Sequence, residues 1–109
     1  MKTIPISLDD KKIRLFCEKH HIASLALFGS ILTARFKDSS DVDFLVQFET
    51  NHTPSLFELV DMESELRSIV GRQVDLRTLN ELSRYFRDEV LAQAKVIFPN
   101  TPIPSTHFL

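Results

Sequence analysis

The sequence predicts a single α/β domain in which three short strands alternate with helices. Three apolar runs of strand length occur at residues 23–28, 41–48 and 73–78. Segments with helical periodicity lie between and around these runs. A chain of 109 residues with 43% hydrophobic content can bury one core but is too short for two. The predicted order of elements is therefore α-β-α-β-α-β-α.

The first element is predicted to be a helix. Ser7 is the expected N-cap because the acidic residue Asp10 follows three positions later. Ile13, Phe16 and Cys17 then recur at helical spacing. Cys17 is the one cysteine of the chain, so it can form no internal disulfide, and we expect a buried thiol in a reducing compartment.

The first strand is predicted at residues 23–28, where a short apolar run ends at Gly29. Glycine at this point suits a tight turn. Ser30 is then the expected cap of a brief helix through residues 31–36. The second strand is predicted at residues 41–48.

The second half of the chain repeats this alternation. Thr53 before Pro54 is the predicted start of a helix that Gly71 ends. The third strand is predicted at residues 73–78, and a last helix is expected to begin near Asn80. The apolar positions assigned to that last helix are Leu82, Phe86, Val90 and Ile97. Its aromatic residues, Tyr85 and Phe86, are expected in the core or at its edge.

Two segments are predicted, a domain over residues 1–98 and a Pro-rich extended tail over residues 99–109. No apolar run has the length of a membrane span, and no basic-then-apolar signal profile is present, so a cytoplasmic protein is expected. The net charge of −2 shows no excess of Lys and Arg. Direct binding to nucleic acid through non-specific phosphate contacts is therefore not expected.

Two aspartates at the start of the second strand are the first candidate site residues. Side chains in a strand alternate between its faces, so Asp41 and Asp43 are predicted to project to the same side. The other side of this strand is apolar, with Val42, Phe44, Val46 and Phe48.

A third aspartate is predicted to join them. In the third strand Asp75 faces away from Val74 and Leu76. If the apolar sides of both strands share one helix-covered core, then the three aspartates converge on the open face of the sheet. Carboxylates held close together repel one another unless a cation neutralises them, and hard oxygen ligands suit Mg²⁺. The pattern therefore predicts a magnesium site.

Gly29 and Ser30 add a candidate phosphate site beside the acids. Glycine allows close approach of a ligand to the backbone, and the first N–H groups of a helix attract phosphate. Each motif alone has an ordinary structural explanation, since an isolated Asp-x-Asp is most often a solvated turn and a lone surface acid such as Asp75 needs no function. The agreement of spacing, strand placement and facing direction favours nucleotide chemistry.

Gly29-Ser30, ten residues and then Asp41-x-Asp43 resembles the G-S-x₁₀-D-x-D signature of the DNA polymerase beta-like nucleotidyltransferase superfamily. Within that superfamily the chain is most similar to the minimal nucleotidyltransferases. Asp75, within the segment GRQVDLRT, matches the third acid of their pattern. The resemblance extends over most of the chain.

This resemblance implies a polymerase beta-like palm, which is a small mixed sheet with helices packed on one face. It also implies two Mg²⁺ ions held by the three aspartates, and transfer of a nucleoside monophosphate from a triphosphate such as ATP. In the implied mechanism Asp41 and Asp43 bridge both metals, and Asp75 helps to hold the metal that activates the acceptor hydroxyl. Gly29 N–H and Ser30 would hold the β and γ phosphates.

The resemblance further implies a partner. Many of these small proteins are antitoxins that form a hetero-oligomer with a HEPN-domain ribonuclease toxin, and some silence it by AMPylating a toxin tyrosine. Two alternatives stay open at this point. One is a non-catalytic antitoxin that inhibits its toxin by forming a complex, and the other is a subunit that nucleotidylates a small molecule.

One position departs from the pattern of the relatives. Many of them carry Arg-Gly where this chain has Thr33-Ala34. Arg35 or Lys37 is a candidate replacement for contact with the triphosphate, and a solvated loop charge is an equal alternative for both. None of the four histidines, His20, His21, His52 and His107, is predicted to ligate a metal. His52 and His107 are expected to have no ligand-type neighbours.

Overall fold

The structure, a computed structural model, describes residues 4–82 and 84–99. Within these residues the chain forms three helices, four strands and two short 3-10 turns. The helices are α1 (Asp10–Lys19), α2 (Leu56–Val70) and α3 (Arg84–Gln93). The strands are β1 (Ile22–Phe28), β2 (Val42–Phe48), β3 (Val74–Thr78) and β4 (Lys95–Phe98), and the 3-10 turns are Gly29–Leu32 and Leu79–Glu81.

The four strands form one mixed sheet in the order β3-β2-β1-β4. Strands β2 and β3 pair in parallel, while β1 pairs antiparallel with both β2 and β4. The parallel pair requires a crossover, which α2 supplies. This arrangement confirms the small mixed sheet that the family resemblance implies.

The main core lies between one face of the sheet and helices α1 and α2. Strand residues whose side chains alternate toward this face are fully buried, as predicted for Val42, Phe44 and Val46. The largest side chains that they meet from the helices are those of Phe16, Met62 and Leu66. Cys17 is also buried there, and desolvation by burial raises the pKa of its thiol to about 12. The thiol is therefore inert near neutral pH.

The N-caps of the two long helices differ from the sequence predictions. Helix α1 is capped by Asp9 rather than Ser7, because the Asp9 carboxylate accepts hydrogen bonds from two backbone N–H groups of the first turn. Helix α2 is capped by Ser55 rather than Thr53, and the Ser55 hydroxyl accepts from the Glu58 N–H at 3.2 Å. Aspartate, serine and threonine all cap helices well, so residue type alone does not show which of several neighbouring residues is the N-cap.

The predicted last helix is the largest error of the sequence analysis. The structure places a 3-10 turn at the predicted start, and α3 begins only at Arg84 and ends at Gln93. Ile97 lies in β4, a strand that the sequence analysis missed. Leu25 pairs with Phe98 and Leu27 with Lys95, so pairing with an existing strand decides the conformation of this short segment.

Two further predictions are wrong, one on the burial of aromatic residues in α3 and one on the length of the helix after β1. Tyr85 and Phe86 are 90% and 60% exposed, so they are not core residues. The brief helix expected through residues 31–36 is a 3-10 turn that ends at Leu32. No helix among the described residues has the length and apolar character needed to cross a membrane. The predicted tail beyond Pro99, with His107, lies outside the described residues.

Helix α2 carries one buried and one exposed leucine, and comparing substitutions of the two tests the assigned core. Leu66 is completely buried whereas Leu56 is 74% exposed. We expect Leu66→Ala to lower the free energy of unfolding by about 2–5 kcal/mol, because it removes buried methyl groups and leaves a cavity. Leu56→Ala should change it by no more than about 0.5 kcal/mol. Urea unfolding of both variants measures the difference, and equal losses would contradict the assigned core face.

Candidate active site

Asp43 and Asp75 lie side by side on neighbouring parallel strands. They are register partners in the pairing of β2 with β3, so their side chains project to the same face of the sheet. Both side chains are partly buried. The predicted convergence of these two acids is therefore present, and it lies on the sheet face opposite the main core.

Gly29 packs directly against the Asp43 carboxylate. The pairing of β1 with β2 places Phe28 opposite Asp43, so the turn that follows β1 begins beside this acid. A Cβ atom built on Gly29 would collide with a carboxylate oxygen of Asp43 and would lie 3.3 Å from its Cγ. Gly29 also has a φ angle of +79°, which L residues rarely adopt. Position 29 therefore requires glycine for two independent reasons.

Asp41 is the third aspartate of the site, and its negative charge acts on Asp43. It lies just before β2, and its side chain is exposed. The pKa of Asp43 is raised above its ordinary value, chiefly by desolvation and then by the negative charges of Asp75 and Asp41. No choice of one carboxylate oxygen from each aspartate brings all three within 4.8 Å of one another.

Arg77 is a site residue that the sequence analysis did not select. Its Nε and Nη2 atoms donate to Asp75 Oδ2 at 3.2 and 3.1 Å, and its Nη1 donates to Glu81 at 3.4 Å. The signal was available, because Arg77 lies two residues after Asp75 in a strand and therefore on the same face. The guanidinium partly neutralises the acid cluster and opposes the rise in the pKa of Asp43.

The turn after β1 holds the remaining predicted residues. Ser30 is partly buried, and its carbonyl oxygen accepts from the Thr33 N–H at 2.9 Å and from the Thr33 hydroxyl at 2.8 Å. Arg35 and Lys37 follow with exposed side chains. Their backbone N–H groups donate to Thr33 Oγ1 and Ser40 Oγ, which fixes the loop. No contact in the described residues joins the Arg35 or Lys37 side chain to the aspartates.

The acids lie on the sheet face opposite the main core, near the starts of β2 and β3. A cavity of about 410 Å³ lies at the other ends of β2 and β3, where Phe48, Leu59 and Thr78 contribute to its walls. The donor set of the three aspartates consists of carboxylates, which is the set that Mg²⁺ prefers, and an arginine already balances part of the charge. The residues present fit the metal that the sequence predicted.

Comparison with protein families supports the same chemistry. Residues 11–102 match the family described as polymerase beta nucleotidyltransferase. The chain belongs to this family. The protein is thus a nucleotidyltransferase of the polymerase beta-like superfamily, which confirms the predicted enzyme class and the resemblance to minimal nucleotidyltransferases.

Two relatives make the similarity more specific. The protein adenylyltransferase MntA of Thermococcus cleftensis is 33% identical over 76 residues, which cover 70% of this chain and 75% of that protein. A Methanocaldococcus jannaschii protein named "Putative protein adenylyltransferase MJ0435" is 33% identical over 84 residues, covering 77% of this chain and 88% of the relative.

Two solved structures share the fold. A toxin–antitoxin crystallised with AMP-PNP superposes with a TM-score of 0.67 at 24% identity, covering 84% of this chain and 73% of that chain. A tri-AMPylated Shewanella oneidensis HEPN toxin in complex with MNT antitoxin gives a TM-score of 0.60 at 22% identity, with 82% and 68% covered. At these identities the comparison confirms the nucleotidyltransferase fold.

The two glycines of the chain provide a matched test of the contact between Gly29 and Asp43. Both have positive φ, but nothing lies within 4 Å of a Cβ atom on Gly71. Gly71→Ala should cost about 1–2 kcal/mol of stability from backbone strain alone. Gly29→Ala should cost more and should also abolish Mg²⁺ binding, because the methyl group displaces the Asp43 carboxylate. Urea unfolding and Mg²⁺ calorimetry check this, and full Mg²⁺ affinity in Gly29→Ala would contradict it.

The raised pKa of Asp43 predicts a stability effect in metal-free buffer. A carboxyl whose folded pKa is higher than its unfolded pKa favours the folded state only when protonated, so its ionisation destabilises the fold above that pKa. Asp43→Asn should therefore raise the melting temperature at pH 7 by roughly a few degrees. This advantage should shrink as the pH falls through the raised pKa of Asp43, where Asp43 itself becomes protonated.

Thermal melts of wild type and Asp43→Asn across this pH range, with EDTA present, measure the difference. The matched control is Asp61→Asn, since Asp61 is an exposed acid on α2. A lower melting temperature for Asp43→Asn at pH 7 would show that the acid cluster is not repulsive.

Proposed function

We propose that this protein is a Mg²⁺-dependent protein adenylyltransferase that acts as the antitoxin of a HEPN-domain toxin and transfers AMP from ATP to a tyrosine of that toxin. The observation that carries the proposal is the placement of Gly29, Asp43 and Asp75 at one point of the open sheet face. Family membership supplies the reaction class, and the names of the relatives supply the transferred group and the type of acceptor.

The three aspartates are the proposed metal ligands and catalytic residues. Asp41, Asp43 and Asp75 would together hold two Mg²⁺ ions. Bound there, Mg²⁺ would lower the pKa of the acceptor hydroxyl and neutralise the triphosphate. The raised pKa of Asp43 is the energetic counterpart of this role, because a cluster that repels itself gains most when cations arrive.

The turn after β1 is the proposed phosphate site. Gly29 offers a backbone N–H with no side chain in the way, and Ser30 lies in the same fixed turn. These residues would orient the β and γ phosphates for in-line attack at the α phosphorus. Arg35 and Lys37 are the cations of the following loop, and we propose them for contact with the triphosphate because their charged side chains are exposed.

Arg77 has a positioning role in this scheme. Two of its nitrogens hold one oxygen of Asp75, which leaves the other carboxylate oxygen available to a metal. Glu81 restrains the guanidinium from the other side. Arg77 and Glu81 would therefore fix the orientation of the Asp75 carboxylate before any metal binds.

The acceptor would reach the aspartates from the sheet face on which they lie, opposite the main core. A protein partner that docks beside this face would present a hydroxyl to Asp75. The HEPN toxin of one solved relative carries AMP groups in complex with its MNT antitoxin, which supports a toxin as the acceptor here. An added AMP brings negative charge to a ribonuclease, where RNA phosphates would then be repelled.

A first test concerns the nucleotide site alone. Mg²⁺ and ATP together should stabilise the fold more than either alone, because each neutralises charge that the other brings. A ligand present at one hundred times its dissociation constant adds about 2.7 kcal/mol. Thermal melts measure this, and Asp61→Asn should respond as wild type does. If the pair of ligands produces no shift in wild type, the proposed nucleotide site is wrong.

A second test concerns transfer. The purified protein and its partner toxin are incubated with ATP and Mg²⁺, and the toxin is examined by intact-mass spectrometry and peptide mapping. We expect its mass to rise by whole AMP units on tyrosine. Asp43→Asn should reduce the rate by at least about 10³-fold, since the amide keeps the shape but removes the charge that holds the metal.

The same experiment separates enzyme from non-catalytic antitoxin. If the toxin mass never rises, yet the toxin is still inhibited in a stable complex with the Asp43→Asn protein, then inhibition by complex formation is the function. Asp61→Asn serves as the control and should transfer AMP at the wild-type rate.

A further inference from the structure

Three potential metal ligands meet at the end of the sheet remote from the aspartates. His21, Glu49 and His52 each offer one ligand atom, and these atoms all lie within 4.8 Å of one another. The imidazole rings of His21 and His52 are stacked, with centroids 3.8 Å apart and an angle of 8° between their planes. The prediction that His52 has no ligand-type neighbours is therefore wrong.

The backbone holds this cluster in place from two directions. His21 directly precedes β1, whereas Glu49 and His52 follow β2. The Glu49 N–H donates to the His21 carbonyl at 2.8 Å, and the His52 N–H donates to the Glu49 carbonyl at 3.1 Å. The three residues that carry the potential metal ligands are thus joined by backbone hydrogen bonds.

The local backbone conformation is unusual at this point. His21 has a φ angle of 57° and Asn51 has a φ angle of 72°, both in the region that residues with a Cβ rarely adopt. His21 lies in the turn before β1, and Asn51 lies in the turn after β2, between Glu49 and His52. A metal lies close to the plane of each imidazole that binds it, so the stacked rings would rotate about their side-chain bonds to bind one ion, and the exposure of both side chains permits this rotation.

The chemistry of the donors differs from that of the catalytic face. Two imidazoles and one carboxylate are a ligand set for Zn²⁺ and related transition metals, whereas Mg²⁺ prefers oxygen ligands. Glu49 lies six residue steps after Asp43 in extended chain, which is roughly 20 Å along the strand. A metal bound near Glu49 therefore does not share ligands with a metal bound near Asp43.

We propose that His21, Glu49 and His52 form a second metal site that binds one Zn²⁺ ion and is independent of the nucleotide site. The three side chains supply three ligands, and their exposure leaves the fourth position to water. A bound ion would join the start of β1 to the exit of β2. The proposal does not rest on the adenylyltransferase function and goes beyond it.

The test is calorimetric titration of Zn²⁺ into the whole chain with excess Mg²⁺ present, so that the aspartates are occupied. We expect one Zn²⁺ per chain. His52→Gln and His21→Gln should each weaken binding by at least about 10–100-fold, because each removes a ligand. Substitution by Co²⁺ should give the visible absorption of a four-coordinate site, and this absorption should be lost in the same variants.

The neighbouring histidine provides a matched control. His20 contacts Glu65 at 3.2 Å and is not part of the cluster, so His20→Gln should bind Zn²⁺ as wild type does. Asp43→Asn should also retain Zn²⁺ binding, which separates failure of this proposal from failure of the proposed function. Unchanged affinity in His52→Gln, or loss of affinity in Asp43→Asn, would overturn the proposal. Because His52 is exposed, its variant should fold, and metal-free melts check this.

Discussion

The parallel pairing of β2 with β3 is the constraint on which the rest of this structure depends. Its register places Asp43 opposite Asp75 on the open face, and by the same alternation it buries Val42 and Val74 on the other. A slip of one residue would move every one of these side chains to the wrong face. The apolar core therefore fixes the position of two carboxylates that would otherwise move apart.

The antiparallel pairing of β1 with β2 adds the second component of the site. It brings Gly29 against the Asp43 carboxylate, at a position where a side chain would collide with that carboxylate. Arg77 then reduces the repulsion and holds Asp75. The register of the two strand pairs thus places like charges close together on one face of the sheet.

The sequence predicted the strands and their facing well because a period of two is a strong signal in short apolar runs. It failed where several residue types are equally suitable or where tertiary contacts decide. Ser7 caps as well as Asp9 in isolation, and β4 is too short to be recognised before its pairing with β1 is known. The meeting of His21 with His52 depends on the antiparallel hairpin and a left-handed turn, which no local pattern reveals.

The most direct test of the acid cluster as the nucleotide site uses Mn²⁺·ATP as a paramagnetic probe in backbone-resolved NMR. The unpaired electrons of Mn²⁺ broaden the signals of nearby nuclei, so the pattern of broadening locates the metal. The account predicts that the amide signals of Gly29, Ser30, Asp43 and Asp75 broaden first, and that Asp43→Asn removes the effect. Broadening centred instead on the cavity beside Phe48 and Thr78, with Gly29 and Asp43 unaffected, would contradict it.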